Sequence, residues 1–462
     1  MNFKEQLQSI PFNEFRIWLE IRNAGFDTYL VGGAVRDIVL GKRPNDWDFA
    51  TNASPSQIKD VFSGMKEFSI KLVGEAFGVT LVNGIEVATF RGDRYFGGGD
   101  KDVEITYVDT IEEDLERRDF TFNAMALDIF GNLIDPFDGV GALGIESGRM
   151  PIVRFVGNAV DRINEDPNRI LRAFRFTTTL DGRLAGTSYD AITNNLHLVG
   201  LIAPERIRLE VLKVLSTAKD HPSFFWNLML SSGVLKIIFP EFVKSAGHDH
   251  GEYHSEDVWT HALTVGDSVS KEYPLIRLAA LLHDVGKPRS YDPVERSFYQ
   301  HHTHSADIIR EWMTAMKFTG DEIRYVVNLA LVHMDGTRGM SMKARRKLKN
   351  KLGRYNLHWR DYVRLRIADR AGNLSRKPFT FSEIRDYVDI FTIEEEVPIN
   401  VNHLALKGGD LIKIFNMTPG PIVGILQREL LDFVIDNGEE FNDPENIKAL
   451  SEVILTKIEK EL

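Results

Sequence analysis

The chain has 462 residues, 43% of them hydrophobic and 27% charged, with a formal net charge of −11 and no cysteine. This excludes a disordered polymer and a disulfide-stapled fold, and it removes thiol nucleophiles and zinc–thiolate sites. The opening MNFKEQLQSIPFNEF lacks the apolar stretch of a secretory signal, and no run of about 18 apolar residues occurs, so a cytoplasmic protein with no membrane partner is expected. The acidic balance argues against a surface basic all over, but not against a local cationic cluster for nucleic acid.

In chain order, the first 150 residues alternate short β-rich runs (29–31, 77–82, 85–90 and 103–108) with helical patterns such as 55–62. That alternation predicts an α/β head, a sheet covered by helices. The Gly-rich stretch 92–101, GDRYFGGGDK, reads as a flexible loop between strands. Beyond 151 the strand signal fades. Apolar residues at three- and four-residue spacing predict helices over 164–176, 205–215 and 224–239. A histidine-rich zone follows, and then a helical tail broken at Gly408-Gly409 and at Pro419-Gly420-Pro421. The expected domains are a head at 1–150, a helical neck at 151–246, a histidine-rich domain at 247–375 and a helical tail at 376–462.

In the head, TYLVGGAVRD runs from strand to Gly32-Gly33 to helix. Two glycines let the backbone approach a ligand closely, and the following helix offers free N–H groups to an anion. Arg36, one turn into that helix, is placed to reach the same phosphate. Next, Asp46 and Asp48 flank Trp47 in an expected strand, so their side chains share one face. Two neighbouring carboxylates repel each other unless a cation lies between them, and hard oxygen ligands suit Mg²⁺. Glu86, the charged residue of an apolar strand, is either a third carboxylate of that site or a solvent-facing residue.

These residues carry a resemblance. LVGGAVRDIVLGKRPNDWDFAT resembles the signature of the tRNA nucleotidyltransferase and poly(A) polymerase family, in its bacterial-type class. Three further segments follow in the family's order. RRDFTFNA, with Arg118, Asp119 and Asn123, resembles a motif associated with ribose recognition. LIDPFDG resembles the link from head to neck, and EDPNRILR resembles the EDxxRxLR motif. The resemblance implies a head of the polymerase-β kind with a mixed sheet, followed by an all-α body.

In EDPNRILRAFRF, Asp166, Arg169, Arg172 and Arg175 recur every three residues, a slowly drifting stripe on one helical face. Such a stripe is either an ion-pair ladder or an edge that reads a base. A carboxylate accepts from an exocyclic amine and arginine donates to ring nitrogens and carbonyls. Cytosine and adenine both present an amine beside a ring acceptor, so one Asp–Arg pair serves both. The resemblance assigns that templating role to Asp166 and Arg169 and places Arg118, Arg172 and Arg175 around the nucleotide. Pro167 is compatible with a place in the first helical turn.

Further on, His261, His283, Asp284, His301, His333 and Asp369 form an ordered series of imidazoles and carboxylates. This donor set suits Mn²⁺, Ni²⁺, Co²⁺ or iron-type centres more than Ca²⁺. Adjacent His283 and Asp284 reach one ion only near a helix end, and Gly286 offers a break. VWTHALTV, LLHDVGKP, FYQHHTHSA, LALVH and RIADRAGN resemble the HD-domain metal phosphohydrolases. FYQHHTHSA departs from the family pattern, and His302 and His304 compete with His301. The resemblance implies a cyclic phosphodiesterase or phosphatase activity beside that of the head.

An acidic chain that holds RNA must concentrate its positive charge. MKARRKLKNKLGR, with Lys343, Arg345, Arg346, Lys347, Lys349, Lys351 and Arg354 and no acid, is the expected phosphate-contacting run. The combined expectation is an enzyme adding C, C and A to tRNA 3′ ends from CTP and ATP. A poly(A) polymerase or A-adding enzyme, and a non-catalytic RNA-binding protein, are the alternatives. Oligomeric state is left open.

Overall fold

The computed structural model describes residues 2–72, 78–95, 103–336, 340–392 and 400–461. The chain divides into two compact units, 1–238 and 239–462.

The first unit is built on a mixed sheet. Its strands are β1 (Thr28–Val31), β2 (Asp48–Thr51), β3 (Ile70–Leu72), β4 (Val79–Val82), β5 (Ile85–Thr89), β8 (Ala126–Leu127) and β9 (Leu133–Ile134). They lie in the order β3-β4-β5-β2-β1-β8-β9, and only the β2–β5 pair is parallel. β6 (Arg91–Tyr95) and β7 (Val103–Tyr107) form a separate antiparallel ribbon. Part of the stretch expected to be a loop is therefore strand. Gly92 allows it: a Cβ there would press on Thr106 Oγ1 at 3.3 Å, and Thr106 Oγ1 donates to the Gly92 carbonyl at 3.0 Å. The remainder of that stretch, 96–101, and Phe77 lie outside the described residues.

Helices cover the sheet. α1 (Phe12–Asn23) buries Ile17, Trp18 and Ile21, and the Trp18 indole donates to the Thr28 carbonyl at 2.9 Å. α2 (Gly33–Val39) follows β1, and α3 (Pro55–Phe62) starts where expected. A reciprocal Ser54–Gln57 capping box with Pro55 in the first turn makes that start. α4 (Ile111–Glu116) packs Ile111 and Leu115 with Val31, Ala50, Phe90 and Ala126 in a core that also takes Val156 from the neck. α5 (Gly139–Leu143) closes the head.

The neck corrects two expectations. The helix expected over 164–176 is two, α6 (Ala159–Glu165) and α7 (Arg169–Thr179). Pro167 lacks an N–H and disfavours helical backbone in the residue before it, and Asp166 is extended at φ −143°. Pro167 thus precedes α7, and Asp166 is not on the arginine helix. After α8 (Gly186–Thr193) and α9 (Pro204–Thr217), the helix expected over 224–239 is also broken. It becomes α10 (Ser223–Ser231) and α11 (Val234–Ile238), separated by Gly233 at φ +84°.

The second unit is almost wholly helical. It runs α12 (Pro240–Val243), α13 (Val258–Asp267), α14 (Pro274–Leu282), α15 (Lys287–Ser290), α16 (His301–Ala315), α17 (Gly320–Val332), α18 (Met342–Arg354), α19 (Trp359–Gly372) and α20 (Phe381–Thr392). The tail adds α21 (Gly408–Ile414), α22 (Pro421–Asn437) and α23 (Pro444–Glu461). Leu404, Leu411, Leu426, Leu430, Val434 and Ile447 form its core. The chain is thus an α/β head with a mixed sheet followed by a helical body, and no described helix is long and apolar enough to cross a membrane.

Candidate functional site

In the first unit one cavity of about 640 Å³ gathers every head and neck residue singled out from sequence. Gly32 and Gly33, Arg36, Asp46, Asp48 and Glu86 line it beside Arg118, Asp119, Asn123, Asp166, Arg169, Arg172 and Arg175.

Strand register explains the carboxylate wall. Phe49 pairs with Val87 across the parallel β2–β5 ladder, and both are fully buried. The residue before each therefore points to the opposite face, which brings Asp48 and Glu86 side by side. Asp46 lies just before β2, not within it as expected. Partial burial, then the neighbouring charges of Glu86 and Asp46, push the Asp48 carboxyl up to about 6. A site that resists the negative charge of its own ligands fits a divalent cation.

At the turn after β1, Gly32 sits at φ +70° and ψ −132°, a conformation open to glycine. Arg36 donates to Asp37 at 2.9 Å and to Asn123 Oδ1 at 3.0 Å. Asn123 in turn donates to Asp119 at 3.2 Å, and Asp119 receives the Arg172 Nε at 2.7 Å. The phosphate-turn arginine and the neck arginine are thus joined by one buried polar chain. Arg118 pairs with Asp114 at 2.9 Å, and Arg175 with Glu210 at 2.5 Å. The guanidiniums of Arg36, Arg172 and Arg175 stand 5.3, 5.6 and 3.9 Å from the Phe176 ring centre.

Asp166 and Arg169 do not pair with one another through their side chains. Arg169 is tied to Glu165 at 2.5 Å and to the Arg117 carbonyl at 3.0 Å, while Asp166 is held by Arg206. Arg206, Glu210 and Lys213, all on α9, were not foreseen; they carry no local motif and reach the site only through helix packing.

The second unit has its own cavity, of about 830 Å³. Asp284 stands at its centre. Its Oδ2 lies 3.3 Å from His283 Nε2 and 3.8 Å from His261 Nε2, and its Oδ1 lies 3.2 Å from His301 Nε2 and 3.5 Å from His333 Nε2. Asp369 completes the first half, 3.2 Å from His261 and 3.7 Å from His283. All six residues named from sequence therefore converge. His283 caps the end of α14, so it and Asp284 turn inward together. A Cβ at Gly286 would collide with the backbone of α16, so that glycine lets α16 come close enough to deliver His301. Neither His302 nor His304 lines the cavity.

Burial depresses an imidazole, and His333 is held down to about 4. At His283 burial is outweighed by Asp284 and Asp369, which push it up to about 10. His261 Nε2, His283 Nε2 and Asp284 Oδ1 are buried without a hydrogen bond. Imidazole nitrogens and carboxylates left unpartnered around one point fit a divalent cation. His250, His254, Glu256 and Lys287 adjoin this centre and were not foreseen as site residues. The signal was the density of histidines in GHDHGEYHSED.

The cationic run forms α18 as expected, but its charge is partly used within the fold. Lys347 pairs with Asp436 at 2.8 Å and Lys351 with Asp335 at 2.5 Å, while Arg345 Nε donates to the Met340 carbonyl at 3.3 Å. Acids absent from the run are supplied by other segments. Arg346 and Lys349 are half-exposed, Arg354 is exposed, and the Lys343 side chain lies outside the described residues.

Three family models match: the poly A polymerase head domain over 28–148, the probable RNA- and SrmB-binding site of polymerase A over 183–245, and the HD domain over 251–375. A CCA-adding enzyme of Lactobacillus johnsonii is 38% identical over 202 residues, 42% of this chain and 48% of that protein. One of Streptococcus pyogenes is 28% identical across 96% of this chain and 98% of that protein. Thus the match spans about half the length of the first relative and nearly all of the second. The crystal structure of the Bacillus stearothermophilus CCA-adding enzyme in complex with CTP superposes with a TM-score of 0.67 at 26% identity, covering 98% of this chain and 99% of that one. The Thermotoga maritima CCA-adding enzyme complexed with tRNA shares the fold, with a TM-score of 0.58 at 18% identity over 99% of this chain and 98% of that one. Motif order, mixed-sheet head, neck and histidine centre agree with these matches: the chain carries a poly A polymerase head domain and an HD domain, and over nearly its whole length it is similar to CCA-adding enzymes.

Proposed function

We propose that this chain adds C, C and A to the 3′ ends of tRNA from CTP and ATP without a nucleic-acid template. The observation that carries it is the single cavity in which a carboxylate wall, a glycine turn and a set of arginines face one another. Asp46, Asp48 and Glu86 would hold Mg²⁺, which supplies charge neutralisation at the triphosphate and a more acidic attacking hydroxyl. The turn at Gly32 and Gly33 and the guanidinium of Arg36 receive the triphosphate. Asp119 and Asn123 hold Arg172 and Arg36 in place and face the ribose. Asp166 accepts from the exocyclic amine that cytosine and adenine share beside a ring acceptor, where UTP and GTP present a carbonyl beside a ring N–H instead. This work belongs to the cytoplasm, with tRNA as the partner held by the neck and by the half-exposed arginines and lysines of α18.

The test is incubation with tRNA lacking its end, each NTP separately, and sequencing of the products. Addition of C, C and A in order is the expected result. Addition of A alone would favour the A-adding or poly(A) reading, and no addition at all would reduce the chain to an RNA-binding protein.

A second activity is favoured by one specific observation, the convergence of His261, His283, Asp284, His301, His333 and Asp369 on two sides of one carboxylate. It is hydrolysis of a phosphoester by the HD domain, with Mn²⁺, Ni²⁺ or Co²⁺ the metals its donor set suits.

A further inference from the structure

Three of the histidines around Asp284 share one device. His283 Nδ1 lies 2.7 Å from the Ala280 carbonyl, His301 Nδ1 lies 3.0 Å from that of Phe298, and His333 Nδ1 lies 2.6 Å from that of Ala330. A carbonyl only accepts, so each ring carries a proton on Nδ1 and turns its Nε2 to the centre. His261 is fully buried and also aims Nε2 at the carboxylates, but its Nδ1 meets no backbone carbonyl and makes no hydrogen bond. It faces Glu256 Oε1 at 3.3 Å instead.

Glu256 is 8% exposed and is held from several directions. His254 Nδ1 lies 2.6 Å from Oε1, and the Ser255 and Leu374 amides donate to Oε2 at 3.2 and 3.1 Å. Leu374 follows the helix that carries Asp369, and Glu256 precedes the helix that carries His261. One carboxylate therefore ties together the two segments that deliver these groups.

We propose that Glu256 is a positioning residue of the histidine centre. It accepts the Nδ1 proton of His261, which fixes the tautomer and the ring direction that present Nε2 to a divalent cation. The proposal rests on the reading of His261, His283, Asp284 and Asp369 as ligands of such a cation, and Glu256 acts on it only through His261.

A competing assignment would make His250, His254, Glu256 and His261 a cation site of their own, since their ligating atoms lie within 4.8 Å of one another. The partners already on Glu256 argue against it: two backbone amides and His254 Nδ1 surround the carboxylate. The Lys287 ammonium, 2.7 Å from Asp284, also touches His250 Nε2. The same Nε2 lies 3.2 Å from Asp284 Oδ2, so His250 turns that nitrogen to Lys287 and Asp284 together, with its Nδ1 3.7 Å from Glu256. His261 presents its Nδ1 there too. The pocket around Glu256 gathers donors on a carboxylate, and His261 turns its Nε2 away from it, toward Asp369.

The experiment titrates the full chain with Mn²⁺ or Co²⁺ alone, reading affinity by calorimetry and bound ions per chain by elemental analysis. Glu256→Ala is expected to weaken binding about 10–100-fold with unchanged stoichiometry, and Glu256→Gln, which keeps one acceptor oxygen, to recover part of that loss. CTP and ATP incorporation stays unchanged in both. Unaltered affinity in Glu256→Ala would overturn the proposal. Loss of one bound ion, with the remaining affinity intact, would also overturn it, because Glu256 would then be a ligand. If the wild type binds no ion, and His283→Ala changes nothing, the ligand reading falls first and the proposal with it. A fold-independent check uses the wild type with ¹⁵N-labelled histidine and Zn²⁺: a protonated Nδ1 at His261 supports the proposal, and a bare Nδ1 refutes it.

Discussion

Arg206 grips Asp166 with both arms, Nη1 to Oδ1 at 2.9 Å and Nη2 to Oδ2 at 2.7 Å. The Asn168 amide adds a third donor to Oδ1 at 3.0 Å. An ionised carboxylate oxygen accepts about two hydrogen bonds, so Oδ1 is filled and Oδ2 keeps one acceptor position toward the cavity. That position is where an exocyclic amine would donate. Arg206→Ala is therefore expected to loosen base choice, raising UTP and GTP use relative to CTP and ATP by about 10–100-fold, and Asp166→Ala should do the same. The check is kcat/KM for the four NTPs on tRNA lacking its last residues. Full retention of preference by Arg206→Ala would show that this pair does not set the reading edge.

The raised Asp48 carboxyl makes opposite predictions for stability and activity. Its folded value of about 6 lies above the ordinary carboxylate value, so the folded head favours the protonated form. Without a cation, stability from this group falls as pH rises from about 4 to about 6 and stays low above that. Asp48→Asn should raise the melting temperature at pH 7 in the absence of divalent metal, by roughly 1–3 kcal/mol of stability. It should also lower nucleotide addition by at least about a thousandfold, as Asp46→Ala should. In the wild type, Mg²⁺ affinity should weaken as pH drops through about 6. Calorimetric melts with and without Mg²⁺, and addition assays on the same samples, measure all three.

Asp114 works in the other direction. It is fully buried between Arg117 at 2.8 Å and Arg118 at 2.9 Å. Burial disfavours its charge, but Arg118 and Arg117 outweigh burial and hold the carboxyl below its ordinary value. The stability it contributes is complete above about pH 4 and is lost as pH falls through the lower folded value. Asp114→Ala removes the buried carboxylate from between two arginines at the wall of the cavity and should cost about 3–5 kcal/mol. Acid unfolding of the variant and the wild type, followed by tryptophan fluorescence, should show the difference shrinking toward low pH.

Much of this was legible in the sequence because the chemistry is local in the chain. Gly32, Gly33 and Arg36 lie within one turn, and Asp46 and Asp48 flank one tryptophan, so strand and helix periodicities suffice to place them. Glu86 stood between two readings, a metal carboxylate and a solvent-facing residue; it is exposed, and strand register sets it beside Asp48. Proline chemistry overrode the three-residue spacing at Asp166, which pairs across to another helix. Arg206 and Glu210 had no such signal: both reach the site from α9, a helix distant in the chain from the head. The charge of α18 was visible, but its acidic partners Asp335 and Asp436 are brought in by folding.

The two cavities belong to different compact units and use different donors, carboxylates alone in the first and imidazoles with carboxylates in the second. They should therefore fail independently. Asp284 is the shared member of the histidine centre, within 3.8 Å of all four imidazoles, so its loss removes both halves at once. Asp284→Ala is expected to abolish transition-metal binding and hydrolysis of a 2′,3′-cyclic phosphate or phosphomonoester, while CTP and ATP incorporation stays within a few-fold of wild type. Asp46→Ala is expected to do the reverse, with metal content at the second centre unchanged. Assays of the wild type across Mg²⁺, Mn²⁺, Ni²⁺ and Co²⁺ come first. Hydrolysis by none of them would withdraw the second activity and leave the centre a structural one, whereas loss of nucleotide addition in Asp284→Ala with the fold intact would show that the two sites are coupled.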